Sequence, residues 1–204
     1  MALRGHVANQ DTELAARIRA GEAEAIRSVV QLHLPEILRA ARGAGLDPTQ
    51  AEDAAQATFM TFVEKAHRFE GRSQVRTWLF GILYKKVAES RRALGKAHKH
   101  DDIDEVMESR FDHAGGWVRP PRPVDEALAA SEVRTRIEKC LEDLPETQRA
   151  AFRLREVDGF STPEICEILE ITRTNLGVLL YRARNRLREC LESKGVTGSR
   201  DLEP

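Results

Sequence analysis

Apolar residues in this chain recur at intervals of three and four positions, and this helical period limits most strongly what the chain can fold into. The pattern runs through 12–44, 49–65, 74–94, 146–157 and 172–192. No segment shows the sustained alternation of apolar and polar residues that is typical of strands. The chain is therefore predicted to be all-α.

The helical pattern stops between 95 and 124. This segment holds three glycines, three prolines and an acidic run at 101–105, a composition that is typical of linkers. A stretch of this length without secondary structure is uncommon inside a compact domain. We therefore predict two small helical domains, over 10–95 and 125–194, joined by a flexible linker over 96–124.

Charge is distributed unevenly, although the net charge of the 204 residues is only −1. Segment 68–99 has nine basic and two acidic residues, whereas segment 100–126 has three basic and eight acidic residues. A solvated helix face explains many basic runs, but here Phe69, Trp78 and Phe80 lie among the cations. Phosphates attract cations and exposed bases stack on rings, so the segment is a candidate surface for single-stranded nucleic acid. Trp78 also belongs to the apolar stripe of its helix, and we expect it to be a core residue first.

Several classes of protein are disfavoured by the composition. No apolar run approaches the roughly 20 residues that cross a bilayer, and the first ten residues lack the apolar part of a secretory signal. We therefore expect no membrane insertion and a cytoplasmic location. The widely spaced Cys140, Cys166 and Cys190 form no CxxC pair, so structural thiols are expected rather than a disulfide framework. No histidine has ligand spacing with thiols or carboxylates, so no metal, cofactor or catalytic site is predicted.

The sharpest local pattern lies in the second half of the chain. Asp158-Gly159 ends one helix, and Ser161-Thr162-Pro163-Glu164 combines a hydroxyl cap, a first-turn proline and an acid. After a turn at Glu170-Ile171, Thr172 or Thr174 caps a long helix. Two helices joined so closely predict a helix-turn-helix, whose second helix enters the major groove of DNA. Helical bundles imitate this pattern often, so by itself it favours DNA binding only moderately.

Two sets of motifs resemble two regions of one protein family. AEDAAQATF at 51–59, FEGRS at 69–73 and RTWL at 76–79 resemble region 2 of extracytoplasmic-function (group 4) sigma factors of the sigma-70 family. Leu144-Pro145 with Arg149, Glu164-Ile165 and YRAR at 181–184 resemble region 4 of the same family. Together the motifs span about 10–95 and 125–192, in the family's order.

The resemblance implies an alternative RNA polymerase sigma factor that directs promoter recognition, strand opening and transcription initiation, and that is not an enzyme. Its partners would be promoter DNA, the β′ clamp helices and β flap of core RNA polymerase, and an anti-sigma factor in a stress or envelope response. Gly115-Gly116-Trp117 and the segment 187–192 resemble a subgroup that is often paired with zinc-containing anti-sigma proteins. The acidic linker would pass through the catalytic cleft of the polymerase.

The resemblance also implies a role for individual residues. Core polymerase would be bound by Asp53, Gln56, Phe59 and Val63. The opened −10 strand would be bound by Arg72, Ser73, Gln74, Arg76, Thr77, Trp78, Lys85, Lys86, Arg91 and Arg92. The −35 element would be bound by Arg149, Thr162, Thr172, Arg173, Thr174, Asn175, Tyr181 and Arg182.

The chain departs from the family's pattern at four positions. Ala57 stands where glutamate is usual, and Val75 stands where phenylalanine is common. Gly177 and Leu179 replace a lysine and an arginine in the recognition helix. Two phosphate contacts are therefore missing, and we expect weaker and less salt-dependent binding of upstream DNA, or a different docking angle.

Two other functions compete with the sigma-factor interpretation. A two-domain helix-turn-helix transcription regulator would bind duplex DNA without polymerase, whereas a sigma factor would bind DNA poorly until core polymerase is present. A DNA enzyme such as a recombinase would need a nucleophile and acid groups in one site, and the sequence offers no convergent set.

Overall fold

The computed structural model describes residues 13–93 and 130–196. These residues form helices and no strand, which confirms the predicted all-α class. The helices are α1 (13–19), α2 (Ala23–Gly43), α3 (Pro48–Lys65), α4 (Val75–Ala93), α5 (Ala130–Glu142), α6 (Glu146–Phe152), α7 (Thr162–Leu169) and α8 (Arg173–Ser193). A 3-10 turn, Ala66–Arg68, follows α3, and a π-helical turn, Arg153–Val157, follows α6. The predicted linker over 96–124 lies outside the described residues.

Local capping explains where three helices begin. The amide of Gln50 donates to the Asp47 carboxylate at 2.8 Å before α3. The amide of Ser161 donates to the Glu164 carboxylate at 2.8 Å before α7. The amide of Asn175 donates to the Thr172 hydroxyl at 3.2 Å before α8. Each bond satisfies a backbone N–H group that the first turn of a helix would otherwise leave unpaired, so the predicted starts of α7 and α8 are confirmed.

The chain divides into two compact units. Among the described residues, the first unit contains 13–93 and 150–178, and the second contains 130–149 and 179–196. The division falls inside α6 and α8, so each unit takes part of the helix-turn-helix half of the chain.

The first unit is built around α4, which packs against α2, α3 and α7. Leu79 and Leu83 are completely buried, and so is Phe80, whose ring centroid lies 4.7 Å from that of the buried Phe160. The prediction of one buried stripe on α4 was therefore wrong, because the helix is covered on more than one side. Each large apolar side chain buried in this way contributes about 1.5–3 kcal/mol.

Three apolar residues within the helical pattern are exposed rather than buried. Leu32 is 72% exposed, Val63 is 49% exposed and Val157 is 48% exposed. Trp78 is half-buried rather than a full core residue. Periodicity shows which positions share a helix face, but it does not show whether another element covers that face.

The second unit contains a disulfide between Cys140 of α5 and Cys190 of α8, whose Cα atoms lie 5.7 Å apart. The expectation of structural thiols was therefore wrong for these two cysteines, which are 50 positions apart in the sequence and are joined across α5 and α8. Arg136 supports the same contact by donating to the carbonyl of Lys194 at 2.6 Å. Cys166 is a free, half-buried thiol on α7.

Candidate polymerase and nucleic-acid interfaces

One face of α3 presents a mixed polar and apolar stripe to solvent. Asp53, Gln56, Met60 and Val63 are exposed, and their spacing of three or four positions places them on the same side of the helix. Phe59 is buried in the core beneath them. The structure therefore brings together three of the four residues predicted to bind polymerase. Met60, one turn after Gln56, is a further exposed residue of this stripe. It was not predicted from the sequence, because an apolar residue inside a helix is expected to be buried.

Trp78 belongs to an aromatic cluster that fixes the loop before α4. Its ring stacks on Phe69 with centroids 4.9 Å apart and meets Phe62 edge-on at 5.6 Å. Gly71 in this loop has φ +71°, and a Cβ atom there would lie 3.0 Å from the Cβ of Ala15. Glycine therefore relieves both backbone strain and crowding at this turn.

The predicted strand-binding loop borders a cavity of about 480 Å³. Arg72, Ser73 and Gln74 line it together with Phe69. Arg72 is exposed and forms an ion pair with Glu70. The loop therefore offers a cation, polar groups and a ring edge at one opening, which suits a nucleotide.

Arg76 is held inside a network rather than presented to solvent. Its Nε donates to Glu36 at 2.9 Å, and its Nη2 donates to the backbone carbonyl of Asp158 at 2.9 Å. The guanidinium carbon lies 4.0 Å from the ring centroid of Phe160 and 5.1 Å from that of Phe80. Hydrogen bonds and cation–π contacts therefore fix this side chain on several sides.

The carboxyl groups around Arg76 are perturbed in opposite directions. Burial acts to raise the pKa of Glu36, but hydrogen bonds from His33 and Arg76 outweigh it and hold the pKa below its ordinary value. The pKa of Glu164 is also lowered, since burial is outweighed by bonds from Ser161 and Thr77 and by the charge of Arg76. Burial raises the pKa of Asp158 in spite of the neighbouring arginines.

Other predicted −10 contacts on α4 also have intramolecular partners. The buried Thr77 donates to Glu164 at 3.1 Å. Lys85 pairs with Glu170 at 2.6 Å, and Lys86 pairs with Glu89 at 3.0 Å.

The last turn of α4 contains two more of the predicted contacts. Arg91 is buried and donates to the carbonyl of Ala44 at the end of α2, so this side chain stabilises the contact between α4 and α2. Arg92 is exposed, and its Nε donates to the carbonyl of Ala88 at 3.3 Å.

The first turn of α8 is open to solvent. Arg173, Thr174 and Asn175 are exposed there, next to the capping Thr172. Gly177 follows on the same helix, and no atom within 4 Å would meet a Cβ at this position. These side chains point to solvent, whereas the opposite face of the helix is packed. A surface that reads base edges must be accessible in this way.

The remaining predicted −35 residues have mixed surroundings. In the first unit Thr162 accepts a hydrogen bond from Arg155. In the second unit Arg149 is buried and donates to the carbonyl of Glu142 at 3.2 Å. Tyr181 is exposed and Arg182 is half-buried in the same unit.

Family comparisons agree with the two regions of the chain. Sigma-70 region 2 matches residues 29–97, and Sigma-70, region 4 matches residues 134–187. A Haemophilus influenzae protein described as "Probable RNA polymerase sigma factor" is 32% identical over 151 residues, which is 71% of this chain and 78% of that protein. The "ECF RNA polymerase sigma-E factor" of Salmonella typhimurium is 27% identical over 135 residues, which is 66% of this chain and 70% of that factor.

This chain is an extracytoplasmic-function sigma factor of the sigma-70 family. A solved structure of the sigma factor RpoE in complex with the anti-sigma factor NepR, from Bartonella quintana, is also similar to it. The similarity has a TM-score of 0.60 and 26% identity, and it covers 81% of this chain and 96% of that one. The predicted family and function are confirmed: the protein is an alternative sigma factor for promoter recognition and transcription initiation. The comparisons do not favour a regulator that acts without polymerase.

Sigma factors are initiation factors without enzymatic activity of their own. Among residues 13–93 and 130–196, no helix combines the length and the apolar character needed to cross a membrane.

Proposed function

We propose that this sigma factor binds core RNA polymerase through the exposed face of α3. The observation that carries the proposal is the exposure of two apolar side chains, Met60 at 57% and Val63 at 49%, next to Asp53 and Gln56. Apolar side chains that stay in solvent on one ordered helix face are typical of a protein interface with a polar rim. The β′ clamp helices are the proposed partner of this face, and the β flap is the proposed partner of the region 4 half.

The loop over 69–74 and the start of α4 are the proposed site for the opened −10 strand. The cavity beside Arg72, Ser73 and Gln74 supports this role, because it places a cation and polar groups next to the ring of Phe69. Extruding a base from the duplex costs about a few kcal/mol. A pocket for the base, together with cations that bind the phosphates of the DNA backbone, can offset that cost. Lys85, Lys86 and Arg92 would then contact phosphates along α4.

The start of α8 is the proposed reader of the −35 element. Arg173, Thr174 and Asn175 are exposed in its first turn, where a recognition helix meets base edges. Arginine pairs best with guanine and asparagine with adenine, so both types of base pair are expected in the element. Thr162, Tyr181 and Arg182 would contact the flanking backbone, and Arg149 would support this end from its buried position.

We expect the protein to work in the cytoplasm, to carry no catalytic group and to be controlled by an anti-sigma factor in a stress or envelope response. The complex of the similar RpoE with NepR supports an anti-sigma partner. A zinc-containing partner stays a prediction from Gly115-Gly116-Trp117, which lies outside the described residues.

Run-off transcription tests the proposed function directly. Core polymerase with and without the purified protein is incubated with promoters selected from a random DNA pool. We expect discrete transcripts from selected promoters only when both components are present. Binding of the selected DNA by the protein alone, with no transcript from the mixture, would instead support a regulator that does not use polymerase.

A further inference from the structure

The helix α7 lies against the proposed −10 surface within the first unit. Glu164 and Glu167 of α7 line the cavity of about 480 Å³ opposite the loop of Arg72, Ser73 and Gln74. A second cavity, of about 270 Å³, is lined by Trp78 and two lysines of α4 on one side. Its other side is lined by Glu167, Ile168 and Glu170. Both cavities beside the strand-binding residues therefore have an acidic wall, supplied by α7 and the residue that follows it.

Direct polar contacts hold this wall in place. Glu164 accepts from Thr77 at 3.1 Å, and Glu170 pairs with Lys85 at 2.6 Å. Glu164 and Glu167 lie one turn apart on α7, and Glu170 directly follows the end of the helix. We call these three residues the acidic face of α7.

An apolar anchor accompanies the polar contacts. Phe160, just before α7, is 2% exposed, and its ring packs edge-on against Phe80 of α4. The guanidinium of Arg76 lies over the same ring. The position of the acidic face therefore depends on the buried contact between Phe160, Phe80 and Arg76 as well as on surface ion pairs. Surface ion pairs alone contribute little.

The position of the acidic face has a consequence for DNA binding. A melted strand would bring its phosphates to Lys85 and the loop of Arg72, where carboxylates already supply the negative charge. Like charges brought together at one site repel, and a strand can enter only if the carboxylates leave.

We propose that the acidic face of α7 is an intramolecular mimic of the −10 strand, which keeps the strand-binding surface closed in the free sigma factor. The inference rests on the proposed function of α4 and the loop over 69–74. Release of α7 from α4 opens the surface, and any partner that binds the open form more tightly shifts the population toward it.

Opening is measured without DNA through the fluorescence of Trp78. The chain has two tryptophans, so Trp117→Phe leaves Trp78 as the sole reporter, at the cavity that α7 closes. Glu167→Gln with Glu170→Gln removes two carboxylates and spares the capping Glu164. Glu24→Gln with Glu52→Gln is the matched control, because it removes two exposed carboxylates that pair with Arg27 and Arg42 elsewhere in this unit. We expect acrylamide quenching of Trp78 to rise about twofold in the α7 variant and to stay unchanged in the control.

Strand binding is measured with a fluorescein-labelled oligothymidine of about 12 nucleotides at low salt. The α7 variant is expected to bind it about tenfold more tightly than the unmodified chain, and the control to gain less than twofold. Equal gains in both variants would show a general charge effect and overturn the proposal. Unchanged quenching, or binding by the unmodified chain as tight as that of the α7 variant, would overturn it as well. If quenching rises but no form binds the oligothymidine, the proposed strand-binding surface has failed, and the strand mimic fails with it.

Discussion

Arg72 and Arg76 lie four positions apart in the basic segment, yet their surroundings differ sharply. The side chain of Arg72 is 83% exposed, whereas that of Arg76 is 27% exposed and bridges Glu36 and the carbonyl of Asp158. The sequence predicts the same role for both, since charge and spacing do not show which cation meets a buried partner. At the residue scale, the intramolecular partners of a cation therefore decide its role. Arg76 stabilises the fold, whereas Arg72 keeps most of its surface in contact with solvent.

This difference predicts opposite results for two alanine substitutions. Arg76→Ala removes two charge-assisted hydrogen bonds and leaves Glu36 short of a partner, so we expect the free energy of unfolding to fall by about 2 kcal/mol. Arg72→Ala removes a surface ion pair and should change it by less than about 0.5 kcal/mol. Urea unfolding followed by circular dichroism measures both values. Equal losses would show that the Arg76 network adds nothing beyond a surface pair.

The carboxyl groups near Arg76 predict how stability depends on pH. The folded-state pKa values of Glu36 and Glu164 are lowered, so their contribution is present above their ordinary value of 4.5 and is lost as the pH falls below it. Asp158 has the opposite sign, because its raised pKa favours the folded state when it is protonated. Glu36 and Glu164 therefore each contribute a loss of thermal stability between about pH 5 and pH 3, and Asp158 contributes a gain. Glu36→Gln should flatten that part of the pH profile, and an unchanged slope would contradict the assignment.

At the element scale, the helix starts were predictable and the depth of burial was not. Ser161 and Thr172 cap helices where the sequence predicts caps, because capping depends on neighbours within one turn. Leu32 and Val63 are exposed, and α4 is buried on several sides, because burial depends on elements that are distant in sequence. The Cys140–Cys190 disulfide was missed for the same reason, since it requires knowing that the end of α5 lies beside the end of α8.

Gly177 in α8 allows a test of the recognition helix. The position is open to solvent, so Gly177→Ala should stabilise the protein by about 1 kcal/mol through helix propensity alone. Gly177→Lys should restore a phosphate contact and steepen the salt dependence of holoenzyme binding to −35 duplex DNA by about 0.9 in log–log slope. Fluorescence anisotropy at several salt concentrations, with Gly177→Ala as the neutral control, measures this slope. Equal slopes for the alanine and lysine variants would show that position 177 does not face a phosphate.

The disulfide predicts a redox-dependent stability of the second unit. It closes a loop across 50 positions, and the chain-entropy model gives about 4 kcal/mol for a loop of this size. Cys190→Ser should therefore lower the midpoint of unfolding under non-reducing conditions, and a reductant should have the same effect on the unmodified chain. Cys166→Ser, which leaves the bridge intact, serves as the control. A midpoint that is insensitive to both Cys190→Ser and reductant would contradict a bridge that stabilises this unit.

At the scale of the whole molecule, the sequence predicts the fold class and the family, and both are confirmed, whereas the residues of each interface stay predictions. It does not predict that α7 pairs with α4, because the charge map counts Lys85 and Glu170 in different segments and cannot show that they meet at 2.6 Å. It also omits Met60, whose exposure becomes visible only when the core of α3 is known. The missing information is tertiary in each case: which surfaces the fold covers and which it leaves open.

The exposed face of α3 predicts a variant that separates folding from polymerase binding. Met60→Asp places a charge where the side chain is already 57% exposed, so the free energy of unfolding should change by less than about 0.5 kcal/mol. In an interface with polymerase, the same carboxylate would be desolvated without a partner, and affinity should fall at least about tenfold. Leu32→Asp makes the same change at an exposed apolar site on α2, outside both proposed polymerase-binding surfaces, and should leave binding intact. Titration of labelled protein with core polymerase measures both affinities. Equal affinities for the two variants would show that α3 is not part of the interface. A loss of affinity for Met60→Asp alone, with an unchanged unfolding curve, would place Met60 in the interface.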